Sequence, residues 1–355
     1  MPAKKLTLLL AMLLCLIASS CRKNSDSNQG TPDWVILETD IGSSTDDLIA
    51  LDLLYRAHEL GKLEFKAIMV NREGYEYARV ADIFNTYYKH PETAIGVVHN
   101  GVKNPPIFID YWKMSLPDTY TDEPRFPTTL SDEEIAQLPD AVTLYRKILS
   151  EAADGSVNIV SVGLATNLAR LLLSQPDEFS PLNGVELVRK KVKALYQQAG
   201  TFGNNPEPEF NFMQDPENAA ILISKWPTPI YFSPMESGQQ YNYEPADVLA
   251  DLDSAGFADS PLYHVYSHHN CNTGQRMWDA MCPLQLIAPE MFTLEGPFES
   301  KLDDQMILHN TPNPNSNHYV QVPPKSAEEH DKVMAFLRDW VKNNVKDNEN
   351  THQSE

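Results

Sequence analysis

Four acidic side chains crowd one short stretch of the sequence, "WVILETDIGSSTDD", at positions Glu38, Asp40, Asp46 and Asp47. An apolar run precedes them, Gly42 permits a sharp turn, and the last two aspartates begin a pattern of helical spacing. Like charges at one turn repel each other unless a positive charge offsets them. Carboxylate oxygens are the ligands that hard divalent cations prefer, so this stretch indicates a cation site, with Ca²⁺ the natural choice.

Two other interpretations account for less of this stretch. A helix capped by Ser44 or Thr45, with acids at its positive end, explains Asp46 and Asp47 but leaves the first aspartate unexplained. The segment "ETDIG" also has the acid-x-acid form with which haloacid-dehalogenase-like phosphatases begin. Their nucleophile is the first Asp, however, where this chain has Glu38, and such a site gives the aspartate pair no role.

Strands and helices alternate along the chain around this stretch. Apolar runs bounded by turn residues predict strands at WVILETD, FKAIMVN, TAIGVVHN, VNIVSVG, VKALYQQAG and PIYFSP. Segments between them with apolar residues every three or four positions predict helices, and SAEEHDKVMAFLRDWVKNN predicts a terminal one. This alternation predicts an α/β fold, an open and mostly parallel sheet with helices on both faces, in a single domain with a Rossmann-like core. Ligands of such sheets bind at the carboxyl ends of the strands.

Polar residues follow several of these strands in an order that resembles one enzyme family. The pattern Asp40-Ile-Gly-x-x-x-Asp46-Asp47 is similar to the amino-terminal signature of the inosine-uridine-preferring nucleoside hydrolases, in the form with two extra residues before the Asp pair. Later segments resemble the family's other blocks in the same order: AIMVNREG, VNIVSVGLATNLARLL, NNPEPEFNFMQDPENAA and GQRMWDAMCPL. The resemblance runs from about Trp34 to about Leu284, and its specificity lies in the joint order of the pieces.

The resemblance implies Ca²⁺-dependent hydrolysis of the N-glycosidic bond of ribonucleosides, or related N-ribosides, to free base and ribose, as in purine and pyrimidine salvage. Asp40 would be the base that activates a calcium-bound water. By the same register the metal ligands would be Asp40, Asp47, the Val162 carbonyl oxygen and Asp279. The substrate-binding residues would be Asp46, Asn71, Asn204 or Asn205, Glu209, Asn211, Trp278 and Asp279. Such a socket would reject deoxyribose, because the groups that meet the 2′-hydroxyl would be left unpaired.

The chain departs from the family pattern at three positions. Glu38 stands where the family usually has Asp, and Ser44 where this form of the signature often has a further Asp. Trp278 stands where well-studied members have a His that protonates the leaving base, and a Trp can stack on a base but cannot act as an acid. The histidines in "YHVYSHHN" are candidates for the acid only because they lie just upstream. The departures keep an alternative open, a non-catalytic calcium-dependent nucleoside- or riboside-binding lipoprotein.

The first residues predict export and a lipid anchor. The segment "MPAKKLTLLLAMLLCLIASSC" has a basic start, a short apolar run and small residues, the three-part pattern of a secretion signal. Small residues abutting Cys21 resemble the lipobox of bacterial lipoproteins, whereas an ordinary secretion signal would leave this Cys without a role. We expect a lipoprotein signal peptide at 1–20, lipidation at Cys21, a flexible tether at 21–33, a nucleoside hydrolase-like domain at 34–345 and a disordered tail at 346–355. The expected location is the cell envelope, lipid-anchored and periplasmic or surface-facing.

The net charge and the cysteines limit which partners and which covalent links the chain can have. Against 49 Asp+Glu the chain has 28 Lys+Arg, a formal net charge of −21. This balance argues against nucleic acid as a partner and against membrane contact other than through a lipid anchor, and it suits cations and small neutral ligands such as nucleosides. The family resemblance implies a homodimer or homotetramer. In an oxidising compartment Cys271 and Cys282 would form a disulfide or remain buried thiols, and their spacing leaves both open.

Overall fold

A central parallel sheet organises the chain. The computed structural model describes residues 32–42, 44–103, 111–115, 126–203, 205–268 and 276–343. Within these residues one nine-stranded sheet forms. Its strands are β1 (Trp34–Thr39), β2 (Glu64–Arg72), β3 (Ala94–Val102), β4 (Val157–Ser161), β5 (Val192–Gln198), β6 (Ile230–Ser233), β7 (Leu294–Leu302), β8 (Leu308–Pro312) and β9 (His318–Gln321).

The strand order across the sheet is β3-β2-β1-β4-β5-β6-β9-β7-β8. From β3 to β9 in this order every neighbouring pair is parallel, whereas β7 is antiparallel to both β8 and β9. Strands β2 and β3 extend the sheet to one side of β1, and β4 to β6 extend it to the other. The boundary between β1 and β4 is therefore the place where the chain reverses direction across the sheet, and in open α/β sheets the ligand-binding crevice forms at the carboxyl ends of the strands at such a place.

Helices connect the strands and lie on both faces. They are α1 (Asp46–Glu59), α2 (Tyr75–Tyr88), α3 (Asp132–Ala136), α4 (Ala141–Glu151), α5 (Thr166–Leu173), α6 (Gly184–Lys191), α7 (Phe210–Gln214), α8 (Pro216–Lys225), α9 (Met235–Gly238), α10 (Pro245–Ser254), α11 (Pro261–His268), α12 (Met281–Ile287) and α13 (Ala327–Val341). Short 3₁₀ turns lie at Tyr111–Ser115 and Pro289–Met291. Together with the sheet they confirm the predicted α/β fold, including each strand and helix named from the sequence pattern.

Side chains of the central strand alternate between two apolar cores. Val35 and Leu37 of β1 pack with residues of α1, α2 and α13 on one face, and Ile36 packs with residues of α4 and α5 on the other. All three are fully buried. A strand covered on both faces must be apolar at successive positions, which is why "WVIL" shows no polar alternation.

Several predicted features lie outside the described residues: the signal peptide, the lipidation site Cys21, most of the tether, Asn204, Cys271 and the tail at 346–355. Cys282 is a buried free thiol. Among the described helices, none combines the length and hydrophobicity of a membrane span.

Candidate active site

Five acidic side chains converge at the carboxyl edge of the sheet beside β1 and β4. They come from the residue after β1, the first turn of α1, the residue before α7 and the turn before α12. Each is at most 5% exposed. They are Asp40, Asp46, Asp47, Glu209 and Asp279, all singled out by the sequence, and we call them the carboxylate cluster.

Hydrogen bonds fix the aspartates of α1. Thr39 Oγ1 donates to Asp47 Oδ1 at 2.5 Å, and the Asp279 backbone N–H donates to Asp46 Oδ2 at 3.0 Å across 233 residues of sequence. The Ser44 hydroxyl donates to the Asp46 carboxylate, and among the described residues no side chain caps α1, so the cap expected from Ser44 or Thr45 is wrong, although Asp46 and Asp47 do lie in the first turn. The second oxygen of Asp47, Oδ2, is buried without a hydrogen-bond partner among the described residues.

Burial and mutual repulsion shift the protonation of the cluster. Burial, with a smaller contribution from the charge of Asp40, raises the pKa of Asp46 to about 6 and that of Glu209 to about 7. Burial also raises the pKa of Asp47 and Asp279 well above the ordinary value, with the neighbouring carboxylates adding to both shifts. These groups are therefore close enough to interact strongly, although they lie far apart in sequence.

The cluster fits a calcium ion by its chemistry. Its ligand atoms are all oxygens, Asp47 Oδ2 is a buried acceptor to which no described residue donates, and a divalent cation would offset both the burial and the repulsion. The oxygens are more widely spread than in a closed metal site. Among the described residues, the three acidic or His side chains whose ligand atoms all lie within 4.8 Å of one another are elsewhere, at His58, His90 and Glu92. A bound ion would therefore have to draw the aspartates together.

The end of β4 approaches Asp40 closely. Val162, the predicted carbonyl ligand, follows this strand, and its N–H donates to the Glu38 carbonyl oxygen at 2.9 Å. Beside it, a Cβ at Gly163 would lie 2.6 Å from the Asp40 nitrogen and 2.8 Å from Asp40 Oδ1. A side chain at this position would push the strand ends apart, so the close approach requires glycine.

Arg72 is a site residue that the sequence reasoning missed. It ends β2, is fully buried, and donates from Nε at 3.3 Å and from Nη2 at 3.0 Å to the same oxygen of Asp40, Oδ2. A guanidinium paired with one carboxylate of the cluster compensates charge that burial would otherwise penalise. The available signal was an arginine at the carboxyl end of a strand expected to be buried, next to the predicted site.

Glu38 lies beneath the cluster, held by two asparagines. Asn71 Nδ2 donates to Glu38 Oε2 at 3.1 Å, Asn167 Nδ2 donates to the same atom at 3.2 Å, and the Tyr145 hydroxyl lies beside this carboxyl group. Burial raises the pKa of Glu38 to about 8, so it is neutral at neutral pH. The amide nitrogen of Asn71, a predicted substrate contact, therefore holds Glu38, and Asn71 Oδ1 has no hydrogen-bond partner within the part of the chain that the structure describes.

The predicted sugar-binding residues Glu209 and Asn211, in NNPEPEFNFMQDPENAA, are each held by a hydrogen bond. Glu209 Oε2 accepts the Phe212 N–H at 2.8 Å and caps α7, while Asn211 Nδ2 donates to Gln198 Oε1 at 2.9 Å. Asn205 is exposed. Glu209 and Asn211 thus have fixed positions at the edge of the sheet, beside the carboxyl end of β5.

Hydrogen bonds of Trp278 and Glu236 fix two further segments that carry predicted site residues. Trp278 is partly buried and donates from Nε1 to the Met235 carbonyl at 3.2 Å, and a Cβ on Gly238 would lie 2.4 Å from the Trp278 Cα. Glu236, which the sequence reasoning missed, accepts the backbone N–H groups of Phe202 and Gly203 on Oε1, each at 2.7 Å. It fixes the loop that leads to the predicted Asn204 or Asn205.

The histidines considered as proton donors lie on α11 and beyond it. His264 and His268 stack on each other with ring centroids 4.3 Å apart, and Phe126 packs edge-on against His264 at 5.1 Å. His269 lies outside the described residues. Their described contacts support a packing role in α11, and the assignment of a proton donor stays open.

Comparison with known proteins agrees with this fold. A family model described as inosine-uridine preferring nucleoside hydrolase matches residues 35–334. The non-specific ribonucleoside hydrolase RihC of Shigella boydii is 33% identical over 145 residues, which cover 40% of this chain and 45% of that protein. The chain thus spans about half the length of the curated relatives it matches.

Solved structures share the whole fold. The inosine-uridine preferring nucleoside hydrolase of Bacillus anthracis superposes with a TM-score of 0.64 at 17% identity, over 88% of this chain and 99% of that one. The purine-preferring ribonucleoside hydrolase of Gardnerella vaginalis gives 0.60 at 17% identity, over 87% and 99%. At this identity the likeness concerns the fold alone. Because the family model spans most of the chain, this protein belongs to the inosine-uridine preferring nucleoside hydrolase family.

Proposed function

We propose that this protein hydrolyses the N-glycosidic bond of ribonucleosides or related N-ribosides in a Ca²⁺-dependent reaction that releases free base and ribose. The observation that carries the proposal is the carboxylate cluster, five buried acidic groups at the carboxyl ends of the strands, in four of which, Asp46, Asp47, Glu209 and Asp279, burial and neighbouring charges raise the pKa. Such an arrangement is unfavourable in a folded protein unless it binds something, and calcium with the hydroxyls of a ribose is chemically suited to it.

Asp40, Asp47, the Val162 carbonyl and Asp279 would hold the ion. When bound, Ca²⁺ would supply an oriented water of lowered pKa. Asp40 is the base in this proposal. Arg72 engages its Oδ2, so Oδ1, on the side of Gly163, is the atom suited to accept the proton from the attacking water.

The remaining cluster residues would grip the sugar. Asp46, Asn211 and Asp279 would bind the 2′- and 3′-hydroxyls, and Glu209 with Asn204 or Asn205 would bind the 5′ side. Cleavage of this bond develops positive charge on the sugar, which the surrounding carboxylates would stabilise. Their fixed positions support this role, because ordered acceptors need no reorganisation during the reaction.

Trp278 would stack on the base and leave protonation of the leaving group to another residue or to water. We also propose, from the sequence alone, that the protein acts at the cell envelope through a lipid on Cys21. The family resemblance supports a homodimer or homotetramer.

Release of free ribose tests the proposal. The protein is incubated with a panel of ribonucleosides and matching 2′-deoxyribonucleosides, with Ca²⁺ or with a chelator. We expect ribose from at least one ribonucleoside, little product from the deoxy compounds, and loss of the reaction on chelation. Binding of nucleosides without any ribose release would replace the proposal with the alternative of a calcium-dependent capture protein.

The role of Asp40 is tested by Asp40→Asn. Loss of a general base lowers the rate by about 10²–10⁴-fold. Asp154→Asn is the matched control, because Asp154 is a largely exposed acid that pairs with Lys191 at the surface. An Asp40→Asn variant that releases ribose at the parent rate would refute the assignment of the base.

A further inference from the structure

A second cluster of potential metal ligands lies at the opposite edge of the sheet. His58 is in the last turn of α1, just before β2, and His90 and Glu92 are in the turn between α2 and β3. Both turns lead into the amino ends of strands. The carboxylate cluster lies at the carboxyl ends, so the two groups occupy opposite edges.

The three side chains are close enough to share one ion. One ligand atom from each lies within 4.8 Å of the others. The rings of His58 and His90 have centroids 4.6 Å apart, and His90 Nδ1 lies 2.9 Å from Glu92 Oε1. Ligands bound to one ion at about 2.0–2.2 Å lie within this range of each other.

His58 is oriented in the way a metal-binding histidine needs. Its Nδ1 lies 3.2 Å from the Leu63 carbonyl oxygen, a partner that can only accept. The hydrogen bond therefore places the proton on Nδ1 and leaves the lone pair of Nε2 for a ligand. A backbone carbonyl that fixes the tautomer in this way is the usual second partner of a metal-binding histidine.

Hydrogen bonds fix the backbone of the turn that carries His90 and Glu92. The His90 N–H donates to the Asn85 carbonyl at 2.9 Å, the Thr93 N–H donates to the His90 carbonyl at 3.0 Å, and Asn85 Nδ2 donates to the Thr93 carbonyl at 2.8 Å. Tyr55 of α1 stacks on the His90 ring with centroids 6.1 Å apart. The backbone of the turn that carries two of the three ligands, and the ring of His90, are thus held in place before any ion binds.

We propose that His58, His90 and Glu92 bind Zn²⁺, or a first-row divalent ion of similar preference, in a site separate from the carboxylate cluster. Two imidazoles and one carboxylate suit Zn²⁺, whereas Ca²⁺ requires more ligands and prefers oxygen. Three protein ligands leave a fourth position for water. Because the ligands come from two different turns, the ion would tie the α1–β2 turn to the α2–β3 turn and stabilise this edge of the sheet.

Calorimetric titration with ZnCl₂ tests the site. The full chain is stripped with a chelator and then saturated with Ca²⁺, so that the carboxylate cluster does not compete. We expect one equivalent of Zn²⁺ to bind. We expect His90→Ala and Glu92→Gln to weaken binding by more than about tenfold, as loss of a metal-site partner does. Bound Co²⁺ should give the intense visible absorption of a four-coordinate ion, and both variants should lose it.

His309→Ala is the matched control, because His309 pairs with Asp303 at 2.8 Å in an exposed two-residue contact. It should bind Zn²⁺ like the parent protein. Binding that survives in both His90→Ala and Glu92→Gln would refute the site, as would a parent protein that takes up no Zn²⁺. Circular dichroism of each variant separates loss of the site from loss of the fold. The proposed hydrolysis does not enter any of these readouts, so either proposal can fail alone.

Discussion

Two acidic side chains at the sheet edge, Glu38 and Asp40, have different partners. Glu38 is buried among amide donors and is neutral at neutral pH, because burial raises its pKa to about 8. Asp40, two residues on, has a buried guanidinium as its partner. Environments that separate neighbouring acids in this way are how a protein assigns them different roles. Asp40 suits reaction chemistry, and Glu38 suits support of the strand end.

Glu38→Gln should leave the fold intact. Glutamine is close in shape to a protonated glutamic acid, and its carbonyl oxygen can accept the two asparagine donors. In the parent protein, between about pH 4.5 and about 8, Glu38 keeps its proton in the folded state and releases it in the unfolded state. The free energy of unfolding that Glu38 contributes therefore falls as the pH rises through that window, by about 1 kcal/mol per pH unit. In urea unfolding with saturating Ca²⁺, the free energy of unfolding of the variant should therefore rise relative to that of the parent between pH 6 and pH 8. Parallel curves for the two proteins would contradict this.

Arg72→Met should destabilise the calcium-free protein by about 3–5 kcal/mol, the usual result of removing one partner of a buried ion pair. Ca²⁺ should restore part of that loss because it supplies positive charge to the same carboxylates. Thermal unfolding with and without Ca²⁺ measures both effects. Arg146→Met, which breaks another buried arginine's pair with Asp177, is the control and should not respond to Ca²⁺ in this way. Equal calcium responses in the two variants would refute the role of Arg72.

At the residue scale the sequence revealed the acids and not their partners. Asp40, Asp46, Asp47, Glu209 and Asp279 follow strands or begin helices, and position along the chain is enough to bring them to one edge. The contact of Arg72 depends on which way the last side chain of β2 turns, and spacing in the sequence does not determine this.

At the scale of elements, the first six strands were predictable and the last three were not. Central strands are apolar at successive positions because both faces are covered. In contrast, β7 lies near the edge of the sheet and most of its residues are partly or fully exposed, so "LEGPFESKL" lacks the apolar pattern of a buried strand. Recognition of β7 to β9 would have required knowledge of their partners.

The close contact of the β1 and β4 ends leads to an element-scale prediction. Gly163→Ala should force the two ends apart and lower ribose release strongly, with a stability loss of about 1–3 kcal/mol for overpacking. Gly155→Ala is the control, because a Cβ there would meet no heavy atom within 4 Å while its φ of +63° still makes the substitution strained, so it should cost stability without displacing the site. Activity and urea midpoints of the two variants give the comparison. Full activity in Gly163→Ala would mean that this approach does not position the site.

At the scale of the whole molecule, part of the large negative charge is buried at one site, where it opposes folding. The formal net charge is −21, and five of the acids are buried together. Such a protein should depend on a bound cation for stability as well as for activity.

Chelation should therefore lower stability more at pH 8 than at pH 5. Folding raises the pKa of Asp46 from 3.8 to about 6 and that of Glu209 from 4.5 to about 7, so the calcium-free folded state binds extra protons in these intervals and loses stability as the pH rises through them. Ca²⁺ offsets the deprotonated carboxylates and should flatten the pH dependence. Melting temperatures from pH 5 to pH 8, with Ca²⁺ and with a chelator, provide the measurement. The same pH dependence in both series would contradict a cation in the cluster.

The hydrogen bond from the Asp279 backbone to Asp46 joins segments 233 residues apart. During synthesis on the ribosome, the first strand and its aspartates emerge long before their partner exists, so the growing chain carries an incomplete and strongly repulsive acidic turn. Contacts between such distant segments form late, after the intervening chain has collapsed. Binding of Ca²⁺ should accordingly begin only when the chain is almost complete, and a chain truncated before Asp279 should have the early strands without the affinity.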